Sequence, residues 1–358
     1  METVLKNQDL NHNRGFALYR KPGDEMKVLI SGRVVACSGH SVPDADGFVF
    51  APFLEQERFP KLFIFSEQKG LFSGNAANFL TPECIDPAWL YANLEPTSKD
   101  AYYASFARMR ESMKRGVAEK VVLSKLVHYG QPLQQKWIHL FDHLSAHYPN
   151  AFVYAFASEA SGLWIGATPE ILLSRDGAMV RTVALAGTRP ASSAGSWRPK
   201  EFVEQQYVTR FIQQALLKCG VKIFDVKGPV TVKAGQVLHL QTSFVFDFDQ
   251  ISSGVWSLVD HLHPTPAVSG YPKKEAIDII LHEEQHEREY YSGYLGPVNA
   301  TQLHLYVNIR CMKVTQSGAA LFVGGGLTLA SDAGEEWSET ELKSQTLLSV
   351  LQNHEFKQ

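Results

Sequence analysis

Two acidic pairs carry the strongest chemical signal in this sequence. Glu201 and Glu204 stand three apart in KEFVEQQYV, and Glu336 and Glu339 stand three apart in EEWSETELK. On a helix, that spacing puts both carboxylates of a pair on one face. Lys343 extends the second face, four residues beyond Glu339. If the two helices meet, four carboxylates share one pocket and repel each other. A hard divalent cation with oxygen ligands, Mg2+ above all, resolves that conflict. Taken singly, each pair also has an ordinary explanation. Acids are favoured at a helix N-terminus, and a Glu339–Lys343 surface pair contributes only roughly 0.2–0.5 kcal/mol.

A second set could do proton transfer. Lys120 opens the apolar run KVVLSK, and Glu170 follows a proline in GATPEILL. An amine and a carboxyl group on one cavity could serve as base and acid. Equally, a strand lysine can reach solvent along its stem, and Glu170 can be a turn residue. Glycines cluster in ALAGTRP (184–190), HLHPTPAVSGYP (261–272) and VGGGLTLAS (323–331), where a ligand could approach the backbone closely. None has the strand–GxGxxG–helix setting of a dinucleotide site or the lysine of a P-loop. His282 to His286 spells H-E-x-x-H in a segment with helical character. A zinc hydrolase needs a third ligand, and the following EREYYSG does not supply the usual extension, so the match reads as chance.

The elements that must position these residues are legible from periodicity. Residues 1–15 read as a flexible N-terminus and 16–358 as one domain. Short β runs are expected at Val28–Ile30, Arg33–Ala36 and Phe48–Phe50, and 66–97 reads as irregular. Thr97 or Ser98 can cap a helix to about Arg115, ended by Gly116. A strand from Lys120 to His128, a helix at Trp137–His147, β runs at Phe152–Ala157, Gly162–Ala167, Ile171–Ser174 and Val180–Ala186, and a helix at Glu201–Cys219 follow. Strands return between Val221 and Phe248. A long helix is expected over Pro272–Tyr290, paired strands over Val298–Val314 and Ala319–Leu329, and a closing helix over Glu335–Gln352. Long β stretches broken by a few helices indicate an α+β fold with helices covering sheet faces.

Composition narrows the function class. The 358 residues are 45% hydrophobic and 20% charged, with a formal net charge of -3. That balance gives no electrostatic reason to expect nucleic acid or an anionic membrane as partner. Cys37, Cys84, Cys219 and Cys311 are scattered without zinc or redox spacing. No apolar run approaches the ~20 residues of a membrane span, and the start lacks a signal-peptide core. A soluble cytoplasmic protein is the expectation, taken as a monomer.

Taken in order, KVVLSK, GATPEILL, LAGT, KEFVEQQYV, HLQT, HPTPAVSGYP, ERE-YYSG, VNIR, GGGLTLAS and EEWSETELK resemble the chorismate-utilising enzymes, from about Ser98 to Leu351. That family includes anthranilate, aminodeoxychorismate, salicylate and isochorismate synthases. Members that add water to the ring carry a lysine where Lys120 stands, and HPTPAVSG is closest in type to isochorismate synthases. The family's glycine run, its Glu-His and its arginine after the lysine strand are replaced by GGGLT (324–328), Glu204-Gln205 and Lys125. No glutamine amidotransferase segment or subunit is expected.

What the resemblance implies is specific. The fold would be two large, mainly antiparallel sheets packed together with helices outside. The reaction would be Mg2+-dependent isomerisation of chorismate to isochorismate, by water attack at C2 and loss of the C4 hydroxyl, feeding menaquinone, siderophore or salicylate formation. Lys120 would be the base and Glu170 the acid. Burial must therefore favour a neutral Lys120 amine and a protonated Glu170. Glu204 and Glu339 would bind Mg2+ directly, Glu201 and Glu336 through its waters. Arg310 and Lys343 would hold the substrate's anionic groups, with Gly187, Thr188 and Gly325 adding backbone donors. His239 would line the metal side, or be a buried hydrogen-bonded histidine; Tyr290 and Arg288 would contact the pocket. A salicylate synthase, or a silent member acting as a binding subunit, are the alternatives.

Overall fold

The structure, a computed structural model, describes residues 13–72, 85–92, 94–192, 196–234 and 237–353. Its strands, in chain order, are β1 (Arg14–Arg20), β2 (Lys27–Cys37), β3 (Gly47–Ala51), β4 (Lys61–Phe65), β5 (Gln68–Phe72), β6 (Lys120–Tyr129), β7 (Phe152–Ser158), β8 (Gly162–Thr168), β9 (Ile171–Asp176), β10 (Met179–Pro190), β11 (Asp225–Ala234), β12 (Val237–Asp247), β13 (Gly270–Tyr271), β14 (Tyr294–Val298), β15 (Gln302–Val307), β16 (Cys311–Thr315) and β17 (Gly318–Leu327). The helices are α1 (Lys99–Lys114), α2 (Trp137–His147), α3 (Pro199–Lys218), α4 (Val255–Leu262), α5 (Lys273–Glu283) and α6 (Ala333–Leu351).

Every pairing among the described strands is antiparallel. The first sheet runs β5-β2-β1-β7-β8-β16-β17-β6-β13. The second runs β11-β12-β10-β9-β15-β14-β3-β4-β2. Strand β2 belongs to both and joins them. Period-two alternation divides each strand between two cores. Along β7, Phe152, Tyr154 and Phe156 enter an aromatic layer between the sheets with Phe48, Phe50 and Tyr290. Val153, Ala155 and Ala157 face the other way, onto α2 and α6. The outer face of the second sheet is covered by α3 and α4 through Val208, Ile212, Leu258 and Leu262. The result is helix, sheet, sheet, helix, with α1 and α5 packed beside β6. Fully burying each such aromatic or aliphatic side chain contributes roughly 1.5–3 kcal/mol.

Helix starts follow local chemistry. Ser98 Oγ accepts from Ala101 N at 3.1 Å and caps α1. Asp332 caps α6, accepting from Gly334 N and Glu335 N. Pro199 occupies the first turn of α3. Some expectations need correction. Residues 66–97 contain β5 and a 3-10 turn at Pro87–Leu90, while 73–84 lie outside the described residues. Of the N-terminal 1–15, residues 1–12 also lie outside, and β1 begins at Arg14. Helix α4 is unanticipated. Helix α5 stops at Glu283 rather than Tyr290. Its Glu284 leaves helical geometry so that one carboxylate can accept from Ser124 N and Oγ and from the Arg288 guanidinium. The single run expected over Val298–Val314 is two strands in different sheets. Cys37, Cys219 and Cys311 are free thiols; Cys84 lies outside the described residues.

Candidate active site

Two crossings between the sheets build the centre of the site. Pro169 and Glu170 carry the chain from β8 in the first sheet to β9 in the second. Asn308 to Arg310 carry it back, from β15 to β16. The crossings lie side by side: Ala167 N donates to Arg310 O at 3.0 Å, and Val307 N donates to Glu170 O at 2.9 Å. Arg310 takes a positive φ of 52°, a conformation a non-glycine residue keeps only when its surroundings impose it. Leaving both sheets at one level, Glu170 and Arg310 line a common cavity with Glu204, His239, Tyr291 and Lys343. Gly187, Thr188 and Gly324–Gly326 form parts of its wall.

On one side of this cavity the charges are few. Glu170 is buried. Burial pushes its carboxyl up to about 8, against the opposing pull of Lys120, Lys343 and Arg310. The group is therefore mostly protonated at neutral pH. Arg310 Nη1 donates to Thr346 Oγ1 at 2.7 Å. His239 Nδ1 lies 3.0 Å from Gly187 O, which assigns its proton there and leaves Nε2 as an acceptor facing Arg310 Nη2 at 3.5 Å. Burial, with Arg310 and Lys343 nearby, holds His239 down at about 3, so it stays neutral. It both lines the cavity and is a buried, hydrogen-bonded histidine. Gly187 sits at a bulge in β10 with φ 66°. A Cβ there would lie 3.0 Å from the Glu201 Cβ and 3.1 Å from its carbonyl, so glycine lets α3 approach β10.

On the other side, α3 and α6 bring their acids to the glycines of β17. A Cβ at Gly325 would lie 3.2 Å from Glu336 Oε2 and 3.6 Å from Glu339 Oε1. A Cβ at Gly326 would collide with both Glu204 Oε1 and Lys120 Cε. All four acids have a cationic partner: Lys120 Nζ is 3.0 Å from Glu204, Arg198 is 2.8 Å from Glu201, Lys200 is 2.5 Å from Glu336 and Lys343 is 2.7 Å from Glu339. Glu204 accordingly sits below the usual carboxylate range: its burial is outweighed by Lys120, Lys343 and Lys200. The all-carboxylate donor set fits a hard divalent cation. So does the buried oxygen Glu201 Oε2, which has no hydrogen-bond partner. Among the described residues, no three acidic, His or Cys side chains are grouped to hold an ion as they are.

A comparison of the sequence with known families decides what this constellation belongs to. Residues 75–352 match the model of the family described as chorismate binding enzyme. The chain belongs to that family. The isochorismate synthase MenF of Bacillus subtilis is 28% identical over 290 residues, 77% of this chain and 61% of that protein. This chain thus spans about three fifths of the length of that curated relative. Two solved structures share the fold of this family member. One, described as a putative 2,3-dihydroxybenzoate-specific isochorismate synthase, DhbC, from Bacillus anthracis, has a TM-score of 0.75 at 24% identity, covering 96% of this chain and 98% of that one. The menaquinone-specific isochorismate synthase MenF from Escherichia coli has a TM-score of 0.76 at 20% identity, covering 98% and 92%.

Of the expected residues, Glu170, Gly187, Thr188, Glu204, His239, Arg310, Gly325 and Lys343 line this family member's cavity; Glu201, Glu336 and Glu339 line a second cleft, Lys120 is fully buried beside Glu204, and Tyr290 and Arg288 lie outside both. Tyr290 stacks on Phe50 between the sheets and donates to Pro60 O at 3.0 Å. Its neighbour Tyr291 lines the cavity instead. Arg288 stands behind the wall, donating to Val122 O and Val268 O and pairing with Glu284. The H-E-x-x-H helix does not exist: α5 ends at Glu283, which pairs with Arg108, and His286 contacts Ser124. Gln205, where the family has histidine, ties α3 to the second sheet through Ala184 O and Thr242 Oγ1. Lys125 packs over the Trp337 ring and pairs with Glu341, docking α6 on β6. The sequence reading missed Lys200 and Tyr291. The one signal for Lys200 was its place beside Glu201.

Proposed function

We propose that this protein is an isochorismate synthase, an isomerase that takes chorismate and water to isochorismate and water. One observation carries the reading: a buried carboxyl held protonated, Glu170, shares its cavity with a guanidinium and an ammonium able to hold a dianion. Arg310 presents a planar fork that suits a carboxylate, and Lys343 adds a second cation. Neutral His239 and the backbone of Gly187 and Thr188 shape the wall without adding charge.

Lys120, acting as the neutral amine once released from Glu204, accepts the proton of the water that bonds to C2. The ring's double bonds relay the electron pair, the C4–oxygen bond breaks, and Glu170 gives its proton to the departing hydroxyl. Proton transfer of this kind supplies roughly 10²–10⁴ in rate. Glu204 and Glu339 would hold Mg2+ directly and Glu201 and Glu336 through its waters; the ion would supply positive charge toward these carboxylates and toward the substrate's ring carboxylate. Isochorismate made this way serves menaquinone or siderophore formation.

Incubation with chorismate and Mg2+, with products separated by chromatography, tests the proposal. Isochorismate is expected from the wild type. Salicylate with pyruvate points to the lyase-active alternative, and unchanged chorismate to a silent binding member. Full turnover by both Lys120→Ala and Glu170→Ala refutes the acid–base assignment.

A further inference from the structure

We infer that the Lys200 ammonium is a tethered counter-ion that occupies the carboxylate site in the absence of a divalent cation, so that displacing it sets the site's cation affinity. The inference rests on the metal reading above and adds a residue that reading does not use. Lys200 Nζ lies 2.5 Å from Glu336 Oε1, and Glu204 and Glu339 also act on it. Glu336 is 2% exposed, and Glu339 adds a second negative charge beside it. Acids brought this close in a dry site need a positive charge to stay ionised and folded.

The site's lysines differ in freedom. Lys120 is fully enclosed; Lys343, 14% exposed, is also fastened to Gly324 O at 2.9 Å; Lys200 keeps 17% of its side chain exposed. Lys200 lines a cleft of about 680 Å3 shared with Trp197, Arg198, Ser338 and Leu342. Its stem can swing there while its backbone stays in the first turn of α3. A divalent ion on Glu336 and Glu339, directly or through water, and an ammonium 2.5 Å from Glu336 would be like charges in a low-dielectric site. The ion therefore takes the carboxylates only as the ammonium leaves. Observed affinity is the intrinsic affinity reduced by the stability of the Lys200–Glu336 pair.

Mn2+ binding to the substrate-free protein, read by electron paramagnetic resonance at about pH 8, where free carboxyl groups are ionised, tests this. Lys200→Met is expected to bind Mn2+ at least about tenfold more tightly, the equivalent of about 1.4 kcal/mol. Lys200→Arg, which keeps a cation, stays near wild type. Equal or weaker binding by a folded Lys200→Met overturns the inference alone. A wild type that binds no divalent cation overturns the metal reading and this inference with it. A second measurement needs no variant. In wild type, labelling of Lys200 by an amine-reactive reagent, read by mass spectrometry, should rise several-fold when Mg2+ is added. Unchanged or reduced labelling counts against displacement.

Discussion

Glu170, on the crossing from β8 to β9, and Glu204, on α3, face the same cavity and are both largely enclosed, yet they hold opposite proton states. Glu204 lies 3.0 Å from Lys120 Nζ and is held below the usual carboxylate range. Glu170 has Lys120, Lys343 and Arg310 in its surroundings. Among the described residues none of them comes within ion-pair distance of it, and desolvation wins, at about 8. The difference is one of contact. A charge in contact offsets the cost of burial; the same charge farther off does not. Glu204 is thereby kept ionised and Glu170 kept as a proton donor.

The largest expected effect breaks the contrast at its chemical end. Glu170→Gln or Lys120→Ala should lower isochorismate formation by roughly 10²–10⁴, measured as kcat/KM with chorismate. A Glu170→Gln enzyme within a few-fold of wild type would falsify the donor role.

Next, removing one partner of the buried pair should cost stability. Glu204→Ala leaves Lys120 enclosed without a counter-charge, and a loss of about 3–5 kcal/mol is expected. Adding Lys120→Met should recover most of it. Urea unfolding of the two single variants and the double variant measures the coupling, and additive losses would deny it.

The proton states also predict opposite pH behaviour. Glu170 in the folded protein sits at about 8, against an ordinary 4.5. The folded state therefore holds the extra proton, and stability falls as pH rises through that window. Thermal unfolding of Glu170→Gln should show a shallower decline between about pH 5 and 8 than wild type. Activity that needs the protonated acid should fall above about pH 8. His239 is displaced the other way, to about 3 against 6.5. Its contribution is complete above the unfolded value and is lost as pH falls through that lower window.

The smallest effects separate neighbours. Tyr290→Phe removes the hydrogen bond to Pro60 O and should cost about 1 kcal/mol of stability with KM unchanged. Tyr291→Phe should leave stability closer to wild type and alter KM. Reversal of the two patterns would place Tyr290, not Tyr291, at the substrate.

The amino-acid sequence by itself determined the α+β class, most element positions, and the one-face spacing of Glu201 with Glu204 and Glu336 with Glu339. Periodicity and capping are local, so Ser98, Gly116 and the α3 and α6 faces are readable along the chain. The sequence also carried the ordered motifs of the chorismate binding family. Only the tertiary structure decided that α5 stops at Glu283, because Glu284 is recruited by Ser124 and Arg288. It alone decided that Tyr291 rather than Tyr290 meets the cavity, and that Lys200 closes the acidic cluster. Above all it decided which buried glutamate keeps its proton. That depends on the distance to a cation brought from another element, and distances across a fold are not written in spacing along a chain.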